Sequence, residues 1–288
     1  MCAWFSHEKM YRLLNFTFEI KAESPLRIGA GRNVAKLSLV DLPVILMRIN
    51  GKDLPYIPGS SLKGVFRSAS EFLARSYGLN ACFMGEGCKK EYDEKLQNSM
   101  KEGDVEKIRA VLSNYCLICK IYGSATFRSH INFGDAYPSE GNVPPSSVKT
   151  GIAIDRKSGA VKTGALYQVE FLNPGSVFIQ TTSFFNIPNY GIGLFSEIVD
   201  NVNSGFIRVG GFKSRGFGKV SMSVKKLEGF VIVNGEYKSI ESTRVLPPVD
   251  EEDEEVEIKG LDEDNLIQLM EKFKEVWRKY VRKSRSGG

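Results

Sequence analysis

The sequence predicts an α+β fold, because strand-like and helix-like hydrophobic patterns occur in the same chain of 288 residues. Residues 15–22 alternate strictly between apolar and polar side chains, which is typical of a strand with one buried face. Residues 61–77 and 262–283 repeat apolar side chains at helical spacing, which predicts two amphipathic helices. Several extended segments between residues 123 and 190 provide further strands.

Turn signals place the remaining strands. Residues 37–49 are rich in Leu, Val and Ile, and Pro43 within them favours an edge strand or a strand start. The pattern over residues 205–224 predicts a glycine-rich loop followed by a strand, and Asn234-Gly235 then predicts a hairpin.

The expected domain organisation is one large core with additions. A polar, cysteine-bearing loop is expected over residues 79–102, and a short helix over 104–115. Residues 246–260 contain two prolines and a run of acidic side chains, which is typical of a linker. The expected units are a core over 1–245 with a cysteine-bearing insertion over 78–120, an acidic linker over 246–260 and a C-terminal helix over 261–288.

The composition is that of a soluble globular protein, with 42% hydrophobic and 25% charged residues. No apolar run approaches the roughly 20 residues that span a bilayer, and the first residues lack a signal-peptide layout. Five cysteines are an odd-numbered and sparse set for a disulfide framework, so a reducing compartment fits them better. The sequence therefore predicts a cytoplasmic protein with no membrane partner.

The charge distribution favours a polyanionic partner. The formal net charge is +5, but residues 250–257 contain seven acidic side chains, so the rest of the chain carries about +12 by the same count. A basic body of this kind is common in nucleic-acid-binding proteins, although many basic proteins bind none.

The start of the helix at 61–77 is a candidate phosphate site. A helix N-terminus offers unpaired N–H groups and the positive end of the helix dipole. Gly59 allows close approach, Ser60 and Ser61 add hydroxyl donors, and Lys63 and Arg67 add charge. The spacing is not that of a Walker A loop. An ordinary serine N-cap with surface basic residues remains the alternative.

The glycine-rich loop at 210–218 is a second candidate site. Four glycines in nine residues, with Lys213 and Arg215 between them, would let a polyanion approach the main chain. Phe212 and Phe217 would either stack on bases or pack internally. A tight loop with two exposed basic residues remains the alternative.

Two cysteine pairs form a candidate metal site. They are separated by a polar insertion of about 30 residues that has no obvious core. The ligands would be Cys82, Cys88, Cys116 and Cys119. Four thiolates suit a tetrahedral structural zinc ion, and His130 or Cys2 would be a substitute ligand. Free buried cysteines are the alternative.

Six segments occur in a fixed order, namely IGAGRN, DLPV, YIPGSSLKGVFRSA, LICKIYGSA, GIAIDRKSGAVKTGALYQVEF and VGGFKSRGFGKV. Over roughly residues 15–224 they resemble the RAMP superfamily of CRISPR proteins, most of all the backbone subunits of type III (Csm/Cmr-like) effector complexes. The resemblance implies a modified RRM-like ferredoxin fold with a zinc-bearing insertion and a thumb-like β-hairpin over 145–172. It also implies antiviral defence through guide (crRNA) and target RNA, other effector subunits, and self-association along the guide.

The resemblance also implies roles for individual residues. Asp41 matches the aspartate that cleaves target RNA with a divalent metal, Mg²⁺ or Mn²⁺. Guide-backbone contacts are implied for Arg27, Ser60, Lys63 and Arg67, while Lys213 and Arg215 lie on the matching glycine-rich loop and Arg156 lies in the matching thumb. Together with Ser61 of the helix start, these residues are the RNA-binding candidates. The cysteine insertion agrees with the zinc-binding insertions of some family members.

Two functional hypotheses follow from these expectations. The chain is either a guide-binding subunit that is also a metal-dependent endoribonuclease through Asp41, or a structural guide-binding subunit without catalysis. A terminal or stem-processing relative fits the helix start and the thumb less well. Only two histidines, His7 and His130, occur, in unrelated sequence contexts, which disfavours a histidine-based ribonuclease.

Overall fold

An antiparallel sheet covered by helices forms the centre of the molecule. The computed structural model describes residues 4–29, 40–83, 88, 90–139, 142–162 and 164–286. The strands are β1 (Arg12–Ala22), β2 (Leu46–Ile49), β3 (Lys52–Pro55), β4 (Ile131–Phe133), β5 (Tyr137–Pro138), β6 (Ser146–Gly151), β7 (Tyr167–Leu172), β8 (Val177–Phe185), β9 (Val220–Val233), β10 (Glu236–Ser239), β11 (Val245–Leu246) and β12 (Val256–Glu257). The helices are α1 (Gly59–Ser76), α2 (Lys90–Glu102), α3 (Val105–Ser113), α4 (Leu117–Tyr122), α5 (Asn189–Asn203) and α6 (Glu263–Ser286).

The sheet topology identifies the fold. Within the described residues the main sheet has the order β10-β9-β1-β8-β4, and β5 also pairs with β8. Along the chain, β1, α1, β4, β8, α5 and β9 follow one another, which is the βαββαβ succession of a ferredoxin-like fold. The predicted α+β, RRM-like ferredoxin fold is therefore confirmed.

Strand β1 lies in the middle of this sheet, and every second one of its side chains is apolar. From Leu14 to Ala22 the alternate side chains are buried, and those between them are more accessible. Both long edges of β1 are paired, with β8 on one side and β9 on the other. The alternation thus places one face of the strand against the helices.

Helices α5 and α6 pack closely against each other in the same core. A Cβ atom at Gly193 of α5 would lie 2.0 Å from the carbonyl oxygen of Phe273 in α6, so this contact requires glycine. Trp277 of α6 is fully buried. The C-terminal helix is therefore part of the core. Helix α5 was not predicted, because its first eight residues, 189–196, are all buried and its less buried polar positions, such as Glu197, Asp200 and Asn201, are confined to the second half.

The predicted acidic linker over residues 246–260 is wrong, because these residues pack against the core. Val249, Val256 and Ile258 are buried. The buried carboxylate of Asp253 accepts hydrogen bonds from the backbone N–H groups of Asn189 and Tyr190 at the start of α5. An acidic side chain at a helix N-terminus replaces the missing intrahelical partners of these groups.

The insertion over 78–120 is more helical than expected. Residues 90–102, predicted as loop, form α2, while the predicted helix over 104–115 is present as α3. Of the extended segment 37–49, only Leu46–Ile49 is a regular strand, and residues 37–39 lie outside the described part.

A long hairpin projects from the molecule where the thumb was predicted. Ser146–Gly151 pairs with Tyr167–Leu172, and an isolated bridge joins Ile154 to Val161 nearer the tip. At the hairpin base, the backbone of Leu42 forms hydrogen bonds with Gln168 and Glu170. None of the described helices is both long and apolar enough to cross a bilayer.

Candidate nucleic-acid interface and metal centre

An open groove of about 740 Å³ lies between one flank of α1 and the glycine-rich loop before β9. Its lining brings together four of the predicted RNA-binding residues, Arg27, Ser60, Ser61 and Lys213. Arg208 also lines the groove, and the sequence analysis missed it because it lies outside the 210–218 motif. No acidic residue is among the described residues that line this groove. Its charge therefore suits an anionic ligand.

The glycines of the loop make room mainly for the protein's own backbone. The N–H of Gly211 donates to the carbonyl of Arg27 at 2.8 Å. A Cβ at Gly210 would lie 2.3 Å from that same oxygen, and one at Gly218 would lie 2.2 Å from the carbonyl oxygen of Val209. The expectation that these glycines bring a polyanion to the main chain is wrong at these two positions, because the chain itself fills the space.

The ring of Phe212 contacts two basic residues, one within the loop and one outside it. The backbone of Phe212 is left-handed, with φ of 57°. The guanidinium carbons of Arg27 and Arg215 lie 5.5 and 5.2 Å from its ring centroid. Arg215 also donates to the hydroxyl of Tyr167 at 2.7 Å. The aromatic ring and Tyr167 thus hold two cationic groups in place.

Burial disfavours the positive charges of the groove, because few groups of the protein compensate for their lost hydration. It lowers the pKa of both Arg27 and Lys213. The Nε of Arg27 is buried and has no hydrogen-bond partner within the part of the chain that the structure describes. A phosphate in the groove would supply both negative charge and an acceptor.

The start of α1 is built differently from the predicted phosphate site. The helix begins at Gly59 with Pro58 as its N-cap, so neither Ser60 nor Ser61 is the cap. The N–H of Gly59 donates to Asp135 Oδ1 at 2.7 Å, so a carboxylate of the protein occupies the position expected for phosphate. A Cβ at Gly59 would lie 2.1 Å from the carbonyl oxygen of Phe133, so this glycine serves packing.

The two basic residues predicted to flank that site do not line the groove. Arg67 donates to Glu71 at 3.1 Å, to the carbonyl of Gly123 at 3.0 Å and to Cys119 Sγ at 3.5 Å. Burial and the neighbouring Arg67 lower the pKa of Lys63. The hydrogen bonds of Arg67 thus connect α1 to the cysteine cluster.

The four predicted cysteine ligands meet at one point. They are Cys82, Cys88, Cys116 and Cys119, and their sulfurs all lie within 4.8 Å of one another. The Sγ of Cys82 lies 3.5 to 3.6 Å from the other three sulfurs. A disulfide would require about 2.05 Å. A tetrahedral zinc ion with Zn–S bonds of about 2.3 Å places its sulfurs about 3.8 Å apart. The cluster fits a metal ion such as zinc.

The surroundings of the sulfurs also suit a cation. The N–H of Cys116 lies 3.2 Å from Cys88 Sγ, and the N–H of Cys119 lies 3.4 Å from Cys116 Sγ. Burial and the neighbouring sulfurs of Cys116 and Cys119 raise the pKa of Cys82 to about 12. A bound cation would reverse this shift by stabilising the thiolates.

His130 is not a substitute ligand. Its ring stacks on His7 with centroids 3.7 Å apart, and its Nδ1 lies 2.8 Å from the carbonyl oxygen of Phe185. Cys2, the other substitute, lies outside the described residues. The two histidines occur in unrelated sequence contexts, and the fold brings them together. Burial, with a smaller contribution from His7, lowers the pKa of His130 to about 4, so its ring is neutral at pH 7.

Asp41 lies at the base of the hairpin and is exposed. Its Oδ2 accepts a hydrogen bond of 2.7 Å from the N–H of Gln168. Asp155 lies in the tip turn, where Oδ1 accepts from the N–H groups of Lys157 and Ser158 at 2.8 and 2.9 Å. Arg156, beside it, is exposed. Asp155 therefore shapes the tip, and Arg156 is accessible there.

Comparison with known proteins agrees with this architecture. A family model described as RAMPs: RAMP superfamily matches residues 19–221, which is more than half of the chain. No curated protein matches the sequence. Proteins of the superfamily bind CRISPR RNA and effector subunits. By this match, and with a ferredoxin-like sheet at its centre, the chain belongs to the RAMP superfamily.

Proposed function

We propose that this protein is a guide-RNA-binding backbone subunit of a type III CRISPR effector complex. The observation that carries the proposal is the groove between α1 and the glycine-rich loop, which gathers Arg27, Arg208 and Lys213 without an acidic neighbour among its described lining residues. Membership of the RAMP superfamily indicates CRISPR RNA as the polyanion. Self-association along the guide and contact with other effector subunits belong to the same proposal.

Guide binding through this groove would be largely independent of base sequence. The serine hydroxyls and basic side chains that line it match phosphate and ribose oxygens. Each phosphate neutralised would release condensed counterions, so affinity would fall as salt concentration rises. This behaviour suits a subunit that accepts guides of any sequence.

The hairpin suits the thumb role because its outer part exposes apolar side chains. They are Ile152, Ile154, Val161 and Leu166, each between 49% and 65% exposed. Such side chains are costly to leave in water, and they pack well against the faces of unpaired bases. We assign the hairpin to separating successive segments of a guide–target duplex, with Arg156 contacting the RNA backbone near the tip.

Asp41 is our candidate for target-RNA cleavage. Within the described residues it belongs to no cluster of three or more metal-ligating side chains. Mg²⁺ and Mn²⁺ tolerate such a site, because these ions are held by one or two carboxylates together with phosphate oxygens and water. When bound, the ion would stabilise charge on the scissile phosphate and favour attack by the 2′-hydroxyl. Asp41 would position that ion beside the hairpin base.

A non-catalytic structural subunit is the second candidate function, and one observation favours it. The carboxylate of Asp41 already accepts the N–H of Gln168, so it has a structural task in anchoring the hairpin. The zinc ion that we propose for the cysteine cluster would be structural under either reading, since four protein ligands leave no open position.

Reconstitution tests the proposed function. The protein is assembled with a labelled guide RNA and the other effector subunits, and offered a complementary labelled RNA with Mg²⁺ or Mn²⁺. We expect several copies of the chain per guide and cleavage of the complementary RNA only. Assembly without cleavage would favour the structural subunit, and absence of guide binding would refute the proposal.

A further inference from the structure

Two aromatic rings stand exposed at one end of the groove. The residue Phe72 of α1 is 50% exposed and Phe206 is 67% exposed. Their ring centroids lie 6.2 Å apart with a tilt of 40° between the planes. Both rings line the same groove as the basic side chains.

The fold holds this pair in place from two directions. Phe72 projects from α1, and Leu62 and Phe66 of the same helix are fully buried. Phe206 follows a turn at the end of α5, in which Gly205 has φ of 80°. The next residue, Ile207, is anchored by a 2.9 Å hydrogen bond from its N–H to the carbonyl of Asn201. The rings are therefore presented by ordered backbone on both walls.

The ligand that fits must combine negative charge with apolar faces. The groove lining holds Arg27, Arg208 and Lys213, and the described lining residues include no acidic group. From Ser61 to Phe72 the helix covers about 16 Å, so the groove is long enough for several nucleotides to lie along it. An apolar protein segment would cover the rings but leave the cations without counter-charge. Single-stranded RNA satisfies both, since its phosphates carry the charge and its bases offer π-faces.

We propose that Phe72 and Phe206 form a stacking platform for one base of single-stranded RNA whose phosphates lie along the basic part of the groove. The inference rests on the proposed RNA-binding function and adds the residues that contact a base. The rings are too close together for a base to insert between them, so the base stacks on the face that the pair presents. Stacking is tolerant of base identity, as a guide-binding subunit requires.

The test uses the full-length protein and two RNAs of equal length, one with ordinary bases and one with abasic ribose at every position. Phe72→Ala, Phe206→Ala and the double variant are compared with Tyr237→Ala, which removes a 66% exposed aromatic from β10. We expect each groove variant to bind the ordinary RNA about tenfold more weakly. Binding to the abasic RNA and the thermal unfolding temperature should stay at the wild-type value.

The outcomes separate this inference from the proposed function. Wild-type affinity of the groove variants for ordinary RNA, or equal weakening on abasic RNA, would overturn the stacking platform while RNA binding stands. Unchanged RNA affinity with altered self-association would also overturn it and assign the rings to a protein interface. Failure of the wild-type protein to bind either RNA would overturn both the platform and the proposed function.

Discussion

Asp41 Oδ2 accepts a hydrogen bond of 2.7 Å from the backbone N–H of Gln168, which ties our candidate catalytic residue to the base of the β6–β7 hairpin. The neighbouring Tyr167 accepts a hydrogen bond from Arg215 of the glycine-rich loop. The hairpin base thus contacts both Asp41 and the basic loop, which places the proposed catalysis and the proposed RNA binding on connected elements.

This contact makes Asp41→Asn more informative than alanine alone. Asparagine keeps a side-chain oxygen for the N–H of Gln168 and removes the charge that a metal ion needs. We expect Asp41→Asn to abolish cleavage in the reconstituted complex while guide affinity and thermal stability stay near wild type. Asp41→Ala should also abolish cleavage and loosen the hairpin base, as shown by faster amide exchange at Gln168.

Asp155→Asn is the matched control, since this carboxylate shapes the hairpin tip. It should retain most of the cleavage activity. Normal cutting by Asp41→Asn, with chelation still inhibiting the wild type, would transfer the chemistry to another group.

The cysteine cluster predicts about one zinc ion per chain. Cys116→Ser and Cys119→Ser each remove a thiolate from a group whose sulfurs lie within 4.8 Å of one another, so both should lose the ion and unfold at lower temperature. Metal analysis after exhaustive dialysis, followed by thermal unfolding, measures both effects. Cys2→Ser is the control and should retain the metal. The site would be refuted if the wild-type protein contained no zinc and unfolded at the same temperature with and without added zinc.

Asp253 connects the acidic segment to the core, so replacing it should destabilise the protein. Asp253→Ala leaves the N–H groups of Asn189, Tyr190 and Val249 without their acceptor. Burial lowers the pKa of Arg12 to about 10, and the charge of Asp253 opposes this shift, so the variant also removes compensation for a buried cation. We expect the free energy of unfolding to fall by at least about 2 kcal/mol.

Chemical denaturation measures this change, and Glu251→Ala, an exposed residue of the same run, is the control. Equal stability of the two variants would mean that the segment behaves as a linker after all.

His130 predicts a specific pH dependence of stability. Its pKa lies at about 4 in the folded protein, below the ordinary 6.5, mainly because the ring is buried. The unfolded chain therefore takes up a proton as the pH falls below 6.5, while the folded chain does not. Between pH 7 and pH 5 the wild type should lose about 2 kcal/mol of unfolding free energy through this group.

The variant His130→Phe lacks the titrating ring and should lose correspondingly less over the same interval. Denaturant titrations of both proteins at the two pH values give the difference, in which effects shared by both proteins, including zinc release, cancel. Identical pH dependence would show that His130 is not a buried neutral ring.

Much of the fold could be predicted from local pattern, because single segments carry its main elements. Strand β1 shows strict alternation, and α1 and α6 show a clear apolar stripe. Helix α5 could not be found this way, since its first half is buried on all sides and its less buried polar positions begin only at Glu197. The acidic run was predicted to be a linker because acidic side chains are usually exposed, whereas Asp253 is buried and caps a helix.

The site could be predicted only in part, because some of its contacts are set by tertiary structure. The four cysteines were predictable, because metal ligands are few and chemically distinctive. Arg67 was assigned to RNA from its position near a helix start, whereas its three hydrogen bonds go to Glu71, to the carbonyl of Gly123 and to Cys119 of the cysteine cluster. The stacking of His7 on His130 depends on tertiary contacts that no local pattern encodes.

The most direct test of the account measures how salt affects binding of single-stranded RNA. The double variant Arg27→Gln/Lys213→Gln removes two groove charges, and Lys238→Gln/Arg244→Gln removes two exposed charges that do not line the groove. We expect the groove variant to bind unrelated RNA sequences equally weakly, with the slope of log affinity against log salt reduced by about 1.4. The control variant should keep the wild-type slope. An unchanged slope in the groove variant would contradict the assignment of this groove to the guide RNA.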